Sequence, residues 1–444
     1  MPPVSTTVAD RLPVVQDRSS GGNTLTRFGF ALGLIVLMPA FVNVLAFDPV
    51  VMAFHNSKIL QLANVLCCVY GIAMILTSRE ATNNVLRCRA PFVLIGLAFL
   101  SMLWSYDPYS TLRASYVLLT TTVFALAMAA RLSYPTCVRL IVRTMSFVCV
   151  LSVIWVIFFP LYGVHPNIFL HAGLWRGVFT HKQGLGVVSG LTTGLLLFYG
   201  SLAFSSAIVR FGALGSAIAC LVGTQSATGL LIAIVLTVTF YITYHIARLP
   251  VPQRKAMLSA LFGLIAVFYM AFHFQLLDFV MPLLGKDADL TGRTGFWPWV
   301  MNNIRYSNPL LGGGFSSGWE EIIAPDQSID NGYIELLGSF GYLGATIVLT
   351  IYARTIWIGS KLLLSQSQDA AIRIFPFNIM LIEFFINITE ANFMTKSINS
   401  ILVVVSIYYA ARLRTEFNLH SADRVTLATK HPAFLQNAHG RSHR

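Results

Sequence analysis

The sequence predicts an all-α integral membrane protein of about twelve transmembrane helices, and three observations predict it. Of 444 residues, 56% are hydrophobic and only 11% charged, where a soluble domain carries about 25% charged residues. The apolar residues fall in repeated runs of about 20, the length that crosses a bilayer as a helix. The charges are confined to the connections between those runs.

The runs place spans at 28–47, 59–77, 91–105, 112–130, 144–160, 184–203, 207–223, 227–247, 257–275, 341–359, 374–389 and 397–411. The third is short, and the seventh is interrupted near its start by Arg210. Residues 1–27 and 413–444 are polar and read as cytoplasmic tails without a fold of their own. Between them lies one polytopic domain, 28–412, with a long loop at 276–340 expected to hold short helices. The first apolar run is long enough to span, so no cleavable leader is expected.

Orientation follows from the basic residues. With both termini inside, twenty-two of the thirty Lys and Arg fall on the cytoplasmic side, among them Arg79, Arg87, Arg139, Arg254 and Arg373. Lys58, Arg113, Arg176, Lys182, Lys286, Arg293, Arg305 and Lys396 fall outside. The positive-inside rule thus supports both count and orientation. It also explains the formal charge of +12 without a nucleic-acid partner. The six cysteines lie in or beside apolar runs at no metal-ligand spacing and read as ordinary apolar residues. The histidines of the C-terminal segment lack ligand spacing too, and no metal site is expected.

Candidate chemistry lies in the outward connections. Between spans five and six, Arg176, His181 and Lys182 form a cationic group before a helix, suited to a phosphate or diphosphate. Contact with lipid head groups is the competing reading. His165, His171 and His181 match no ligand spacing. Gly184, Gly186 and Gly190 open a membrane helix, which favours close helix packing over nucleotide binding. Gln225 and Ser226, in the segment TQSATGLL, offer hydrogen bonds to a sugar or a cap for the next helix.

The stretch 290–344 is the one long segment too polar for lipid. Arg293 suits a phosphate. Trp297 and Trp299 suit either a sugar face or the membrane interface. Pro309–Gly314 is a sharp turn allowing close backbone approach to a ligand or a helix. Asp326, Asp330 and Glu335 are candidate bases, set against the ordinary reading of solvated loop acids.

Four motifs occur in order: WRGVFTHKQGLG, TQSATGLL, GRTGFWPWV with NPLLGGGF, and DNGYIELLGSFGYLG. Together they resemble the O-antigen ligase and Wzy-type polymerase superfamily, and within it the exopolysaccharide polymerases of the succinoglycan kind. The resemblance implies a GT-C-like membrane glycosyltransferase in the bacterial inner membrane, with no cofactor and no metal. It implies undecaprenyl-diphosphate-linked glycans as donor and acceptor at the periplasmic face, with chain-length regulator and export proteins as further partners. Arg176 and Arg293 would hold the donor diphosphate. His181, Lys182, Trp297, Gln225, Ser226 and Asn331 would bind substrate. A base would take the proton of the attacking hydroxyl in one inverting displacement. Where the ligases carry a His-Asn pair, this chain has Asp330-Asn331, so Asp330 takes the base position. Where the family carries a basic residue in the second motif, this chain has Ala227. The resemblance favours a polymerase through the HKQG form of the first motif. A ligase is the alternative. A transporter is the third reading, disfavoured because charges sit at span ends.

Overall fold

In a bilayer, apolar runs of this length satisfy their backbone as helices, and helices are what form. The computed structural model describes residues 24–38, 40, 47–48, 53–54, 58–166, 171–273, 297–319, 329–364, 370–395 and 397–430. Within this range the only strands are a two-residue antiparallel pair, 47–48 with 53–54.

The chain opens on α1 (Thr24–Leu37) and α2 (Lys58–Leu76). A short polar helix, α3 (Arg79–Arg87), is capped by Ser78, whose hydroxyl accepts from the Ala81 N–H. It turns by 67° into α4 (Ala90–Leu100), continued by the tight turn Ser101–Trp104. Asp107 accepts from the Tyr109 and Ser110 N–H groups and starts α5 (Pro108–Arg131). Next come α6 (Tyr134–Phe158), α7 (Lys182–Ala203), α8 (Ala207–Thr224), α9 (Ala227–Arg248) and α10 (Val251–His273). After the short α11 (Trp297–Ser307), three long helices close the fold: α12 (Gly332–Leu364), α13 (Ala370–Thr389) and α14 (Ile398–Lys430).

The protein is therefore an all-helical integral membrane protein. Among the described residues eight helices are long and apolar enough to cross a membrane, or nine if α3 and α4 form one broken span. All twelve predicted spans overlap a helix, but not all are of spanning length. Helix α1 has 14 residues, about 21 Å, against a hydrocarbon core of about 30 Å. Helix α14 carries Arg412 and Arg414 and runs on to Lys430, so the first part of the predicted 413–444 tail is helical. Residues 1–23, the 276–296 and 320–328 parts of the long loop, and His431, His439 and His443 lie outside the described residues.

Burial separates centre from rim. In α7 and α13 78% of the apolar window is buried, against 17% in α2, so α7 and α13 form the middle and α2 faces lipid. Helices α7 and α9 are in closest contact through glycines. A Cβ on Gly190 would meet the Gly229 carbonyl at 2.3 Å, and one on Gly229 would meet the Gly186 carbonyl at 2.4 Å. Gly186 and Gly190 are packing residues, as their position in a membrane helix predicts. All six cysteines are buried free thiols.

One end of the bundle is pinned by arginines. Arg139 and Arg143 donate to the carbonyls of Leu202 (3.0 Å) and Ala203 (2.6 Å) at the C-terminus of α7. Arg254 donates to Leu249, Leu363 and Leu364, and Arg373 to Leu362, Leu363 and Ala247. These cations meet the carbonyls that helix C-termini leave unpaired, where the helix dipole also favours positive charge. They are residues that orientation alone had assigned to the cytoplasmic side.

Candidate functional site

The opposite end of the same helices gathers the motifs. After α6 the single turn Pro160–Gly163 leads into a short antiparallel contact between Val164 and Trp175. The Trp175 N–H donates to the Gly223 carbonyl (2.9 Å), and its indole lies where a Cβ on Gly223 would be. This joins the first motif to the end of α8.

Arg176 is only 2% exposed. Its Nε donates to the Tyr162 carbonyl (2.9 Å) and its Nη2 to that of Leu161 (3.1 Å). Burial holds its pKa below the usual value for a guanidinium. Arg176 therefore ties the first motif to the turn before it, a structural role that sequence reasoning did not foresee.

Three imidazoles cluster beside it. Ring centroids of His165, His171 and His181 stand 5.1 to 5.9 Å apart, edge to face. His165 Nε2 accepts from the Lys182 N–H (3.1 Å), and His181 Nδ1 caps α7 by accepting from the Gln183 N–H (3.3 Å). Burial foremost, then His181, Arg176, His171 and Lys182, lower the His165 pKa to about 4. Burial, then His171 and Lys182, also lower that of His181, against a raising effect from Asp330. Both rings are neutral at pH 7, with the accepting nitrogens already engaged. Among the described residues no group of three or more His, Cys, Asp or Glu has metal-holding geometry.

The second motif turns at Gln225, which is exposed and left-handed at φ 49°, ending α8. Ser226 is buried and caps α9, its Oγ accepting from the Gly229 N–H (3.1 Å). Of the two readings left open for Ser226, capping is the one the structure shows. Two residues further, the Thr228 hydroxyl donates to Glu390 Oε1 (3.1 Å).

The fourth motif enters α12. Asp330 is half-buried at φ 33°, an uncommon conformation for a residue with a side chain. Its carboxylate is near enough to raise the His181 pKa. Asn331 is buried and caps α12, its Oδ1 accepting from the Tyr333 (3.0 Å) and Ile334 (3.2 Å) N–H groups. Its Nδ2 donates to the Ile388 carbonyl (3.4 Å), which draws this entry onto the end of α13.

The glycine turn of the third motif serves a helix. Gly313 and Gly314 donate to the carbonyls of Gly338 (2.7 Å) and Ser339 (3.0 Å), and Tyr342 donates to that of Pro309 (2.8 Å). They dock where α12 breaks at Gly341, whose φ of 59° and ψ of −172° interrupt the helix. A Cβ at Gly341 would stand 2.3 Å from the Leu310 carbonyl carbon, so both the backbone conformation and the close contact require glycine. Residues 332–340 are thus a separate segment held at the motif end.

Of the tryptophans, Trp297 is half-buried. It donates to the Ile329 carbonyl (3.2 Å) and packs on Val300, Ile304, Trp319, Ile329 and Ile334. Trp299 is the exposed one, at 48%. Arg293, Lys286, Asp326 and Lys396 lie outside the described residues, as does the side chain of Arg305.

Sequence reasoning missed the residue at the centre of this convergence. Glu390, at 9% exposure, accepts from Gln183 Nε2 (3.3 Å) on α7 and from Thr228 on α9, while itself following α13. One and two turns earlier on α13 stand Asn387 and Glu383, both buried. Asn387 Nδ2 donates to the Glu383 carbonyl (2.8 Å) and carboxylate (3.3 Å). An acid inside an apolar helix was the available signal, because burying one is costly and marks function. Glu383 also corrects the expectation that charges sit only at span ends.

The sequence is similar to known proteins. Residues 212–349 match the sequence model of the family described as O-Antigen ligase, from α8 through the motif end of α12. The chain is 26% identical over 311 residues to the exopolysaccharide production protein ExoQ of Rhizobium meliloti (strain 1021). That match covers 63% of this chain and 66% of the relative, just under two thirds of its length. The resemblance drawn from the four motifs is borne out: the chain is similar to the O-antigen ligase and Wzy-type proteins, on the side of exopolysaccharide production.

Proposed function

We propose that this protein polymerises undecaprenyl-diphosphate-linked repeat units into exopolysaccharide at the periplasmic face of the inner membrane, as a metal-independent, inverting glycosyltransferase with twelve spans. The observation that carries the reading is the meeting of the first, second and fourth motifs around Glu390, at the end of the bundle opposite the arginine-pinned one.

In this reading Arg293 and Lys182 neutralise the diphosphate as it leaves the anomeric carbon, which is electrostatic stabilisation by positioned cations. Arg176 has two donors committed to backbone carbonyls. It holds the loop in place and contributes its charge from behind. Asp330 accepts the proton of the attacking hydroxyl, beside the neutral His181. Its backbone conformation fits such a role, since strained residues cluster at functional sites. Glu390 positions Gln183 and Thr228 at the same end. Trp299, rather than Trp297, offers an indole face to a sugar ring. Chain-length regulator and export proteins would act on the product.

The relative's name, an exopolysaccharide production protein, favours polymerase over the ligase reading. The lipid-linked pool of a deletion strain separates the two. A carrier bearing a single repeat unit is the expected result; full-length glycan on the carrier would make the protein a ligase. With purified protein and lipid-linked repeat units, a ladder of products forms in excess EDTA. Strict dependence on a divalent cation would overturn the mechanism.

A further inference from the structure

A cavity of about 460 Å³ lies away from the motif end, where the α3–α4 turn meets α12 and α14. Four guanidinium-bearing residues line it: Arg87 and Arg89 from the turn, Arg354 from α12 and Arg414 from α14. All four are exposed, and no lining residue is acidic. Four exposed like charges around one space give a positive potential that favours an anion there. The hydroxyls of Thr355 and Thr415 donate to the Ile351 and Ala411 carbonyls, so the anion-facing groups are the arginines, while Ile351, Ile407 and Ala411 supply an apolar wall.

The position is that of a membrane interface. Helix α3 is polar and bends 67° away from α4, so it leaves the direction of the spans just where the cavity opens. Arg354 lies in the last third of α12, and Arg414 lies midway along α14, just past the apolar run at 397–411. The cavity is therefore basic on one side and apolar on the other. A free phosphate would satisfy only the arginines. A phospholipid brings a phosphodiester to the arginines and a glycerol and acyl chain to the isoleucines.

We propose that this cavity binds the headgroup of an anionic phospholipid from the leaflet that faces the arginine-pinned end. Basic pockets between membrane helices suit such headgroups, and each nearby Lys or Arg adds to the attraction. A zwitterionic lipid carries its own cation into the cluster and is disfavoured. The proposal rests on the protein being a membrane protein and not on the glycan-transfer reading.

The test is native mass spectrometry of the full-length protein released from detergent with phosphatidylglycerol, phosphatidylcholine or inorganic phosphate added. Wild type retains phosphatidylglycerol in preference to phosphatidylcholine, and millimolar phosphate does not displace it. The double substitution Arg354→Gln with Arg414→Gln lowers phosphatidylglycerol retention about tenfold or more. Arg248→Gln with Lys255→Gln, the same charge change on exposed residues outside the cavity, leaves retention unchanged. Ala411→Phe, which fills the cavity and keeps every arginine, also loses the lipid. Equal retention of the two lipids, or retention unaffected by both cavity variants, overturns the proposal. Displacement by phosphate alone reassigns the cavity to a soluble anion and overturns the lipid reading.

Discussion

The two ends of this bundle are built from the same helices and use polar groups differently. At one end Arg139, Arg143, Arg254 and Arg373 donate to main-chain carbonyls at helix C-termini. The partners are backbone, so the bonds fix helix to helix and specify little else. At the other end Arg176 and Asn331 also donate to carbonyls, but side chain meets side chain as well: Gln183 and Thr228 on Glu390, three histidine rings on one another, Asp330 within reach of His181. Among the described residues the four non-glycine positions with positive φ are Gln225, Ser316, Asp330 and Met394, all in connections at this second end. Strain persists only where surrounding structure enforces it, and it gathers at functional sites. The difference separates an end that ties helices together through backbone from the end where distant side chains meet, which is the end the proposed function uses.

Substitutions at the two ends should separate in kind. The largest effect is expected at the motif end. Arg293→Ala and Asp330→Ala each reduce polymer formation by about 100-fold or more with normal membrane insertion, the scale of losing a charge-stabilising group or a general base. Polymer yield at the wild-type level from Arg293→Ala would remove the diphosphate clamp from the proposal.

Glu390→Ala comes next, with a loss of about tenfold or more. The neutral isostere in Glu390→Gln still accepts from Gln183 and Thr228, so most activity should survive if Glu390 only positions those groups. Equal loss in both variants would show that its charge is needed.

At the arginine end, Arg373→Ala should cost stability instead. Hydrogen bonds to charged groups contribute about 1.5–3 kcal/mol each, so the melting temperature in detergent falls while activity per folded molecule is kept. A variant that melts normally but fails to polymerise would blur the division between the two ends.

The smallest effect concerns pH. His165 has a folded pKa of about 4 against an ordinary 6.5, so the unfolded chain binds the extra proton first. The stability it contributes is complete above pH 6.5 and is lost as pH falls toward 4. Thermal melts of His165→Asn should be flatter than wild type across that window.

Much of this was legible in the chain. The alternation of apolar runs with short basic connections gave the helices, since a bilayer leaves the backbone no other option. The four motifs gave the family resemblance and three of the segments that meet. Gly186 and Gly190 announced a helix contact. The arginines announced a side of the membrane, but not that they would seize particular carbonyls. Periodicity does not carry that information, because which helix end lies within reach of a guanidinium depends on packing.

Sequence by itself therefore determined that this is a helical membrane protein and which connections carry unusual polar residues, because lipid penalises charge and unpaired backbone residue by residue. Only the tertiary structure decided that Arg176 is buried against its own turn, that Trp299 and not Trp297 is open, and that Glu390 joins α7 and α9 at the end of α13. Those facts depend on contacts between residues as far apart as Gln183 and Glu390, and only the packing of the helices brings such residues together.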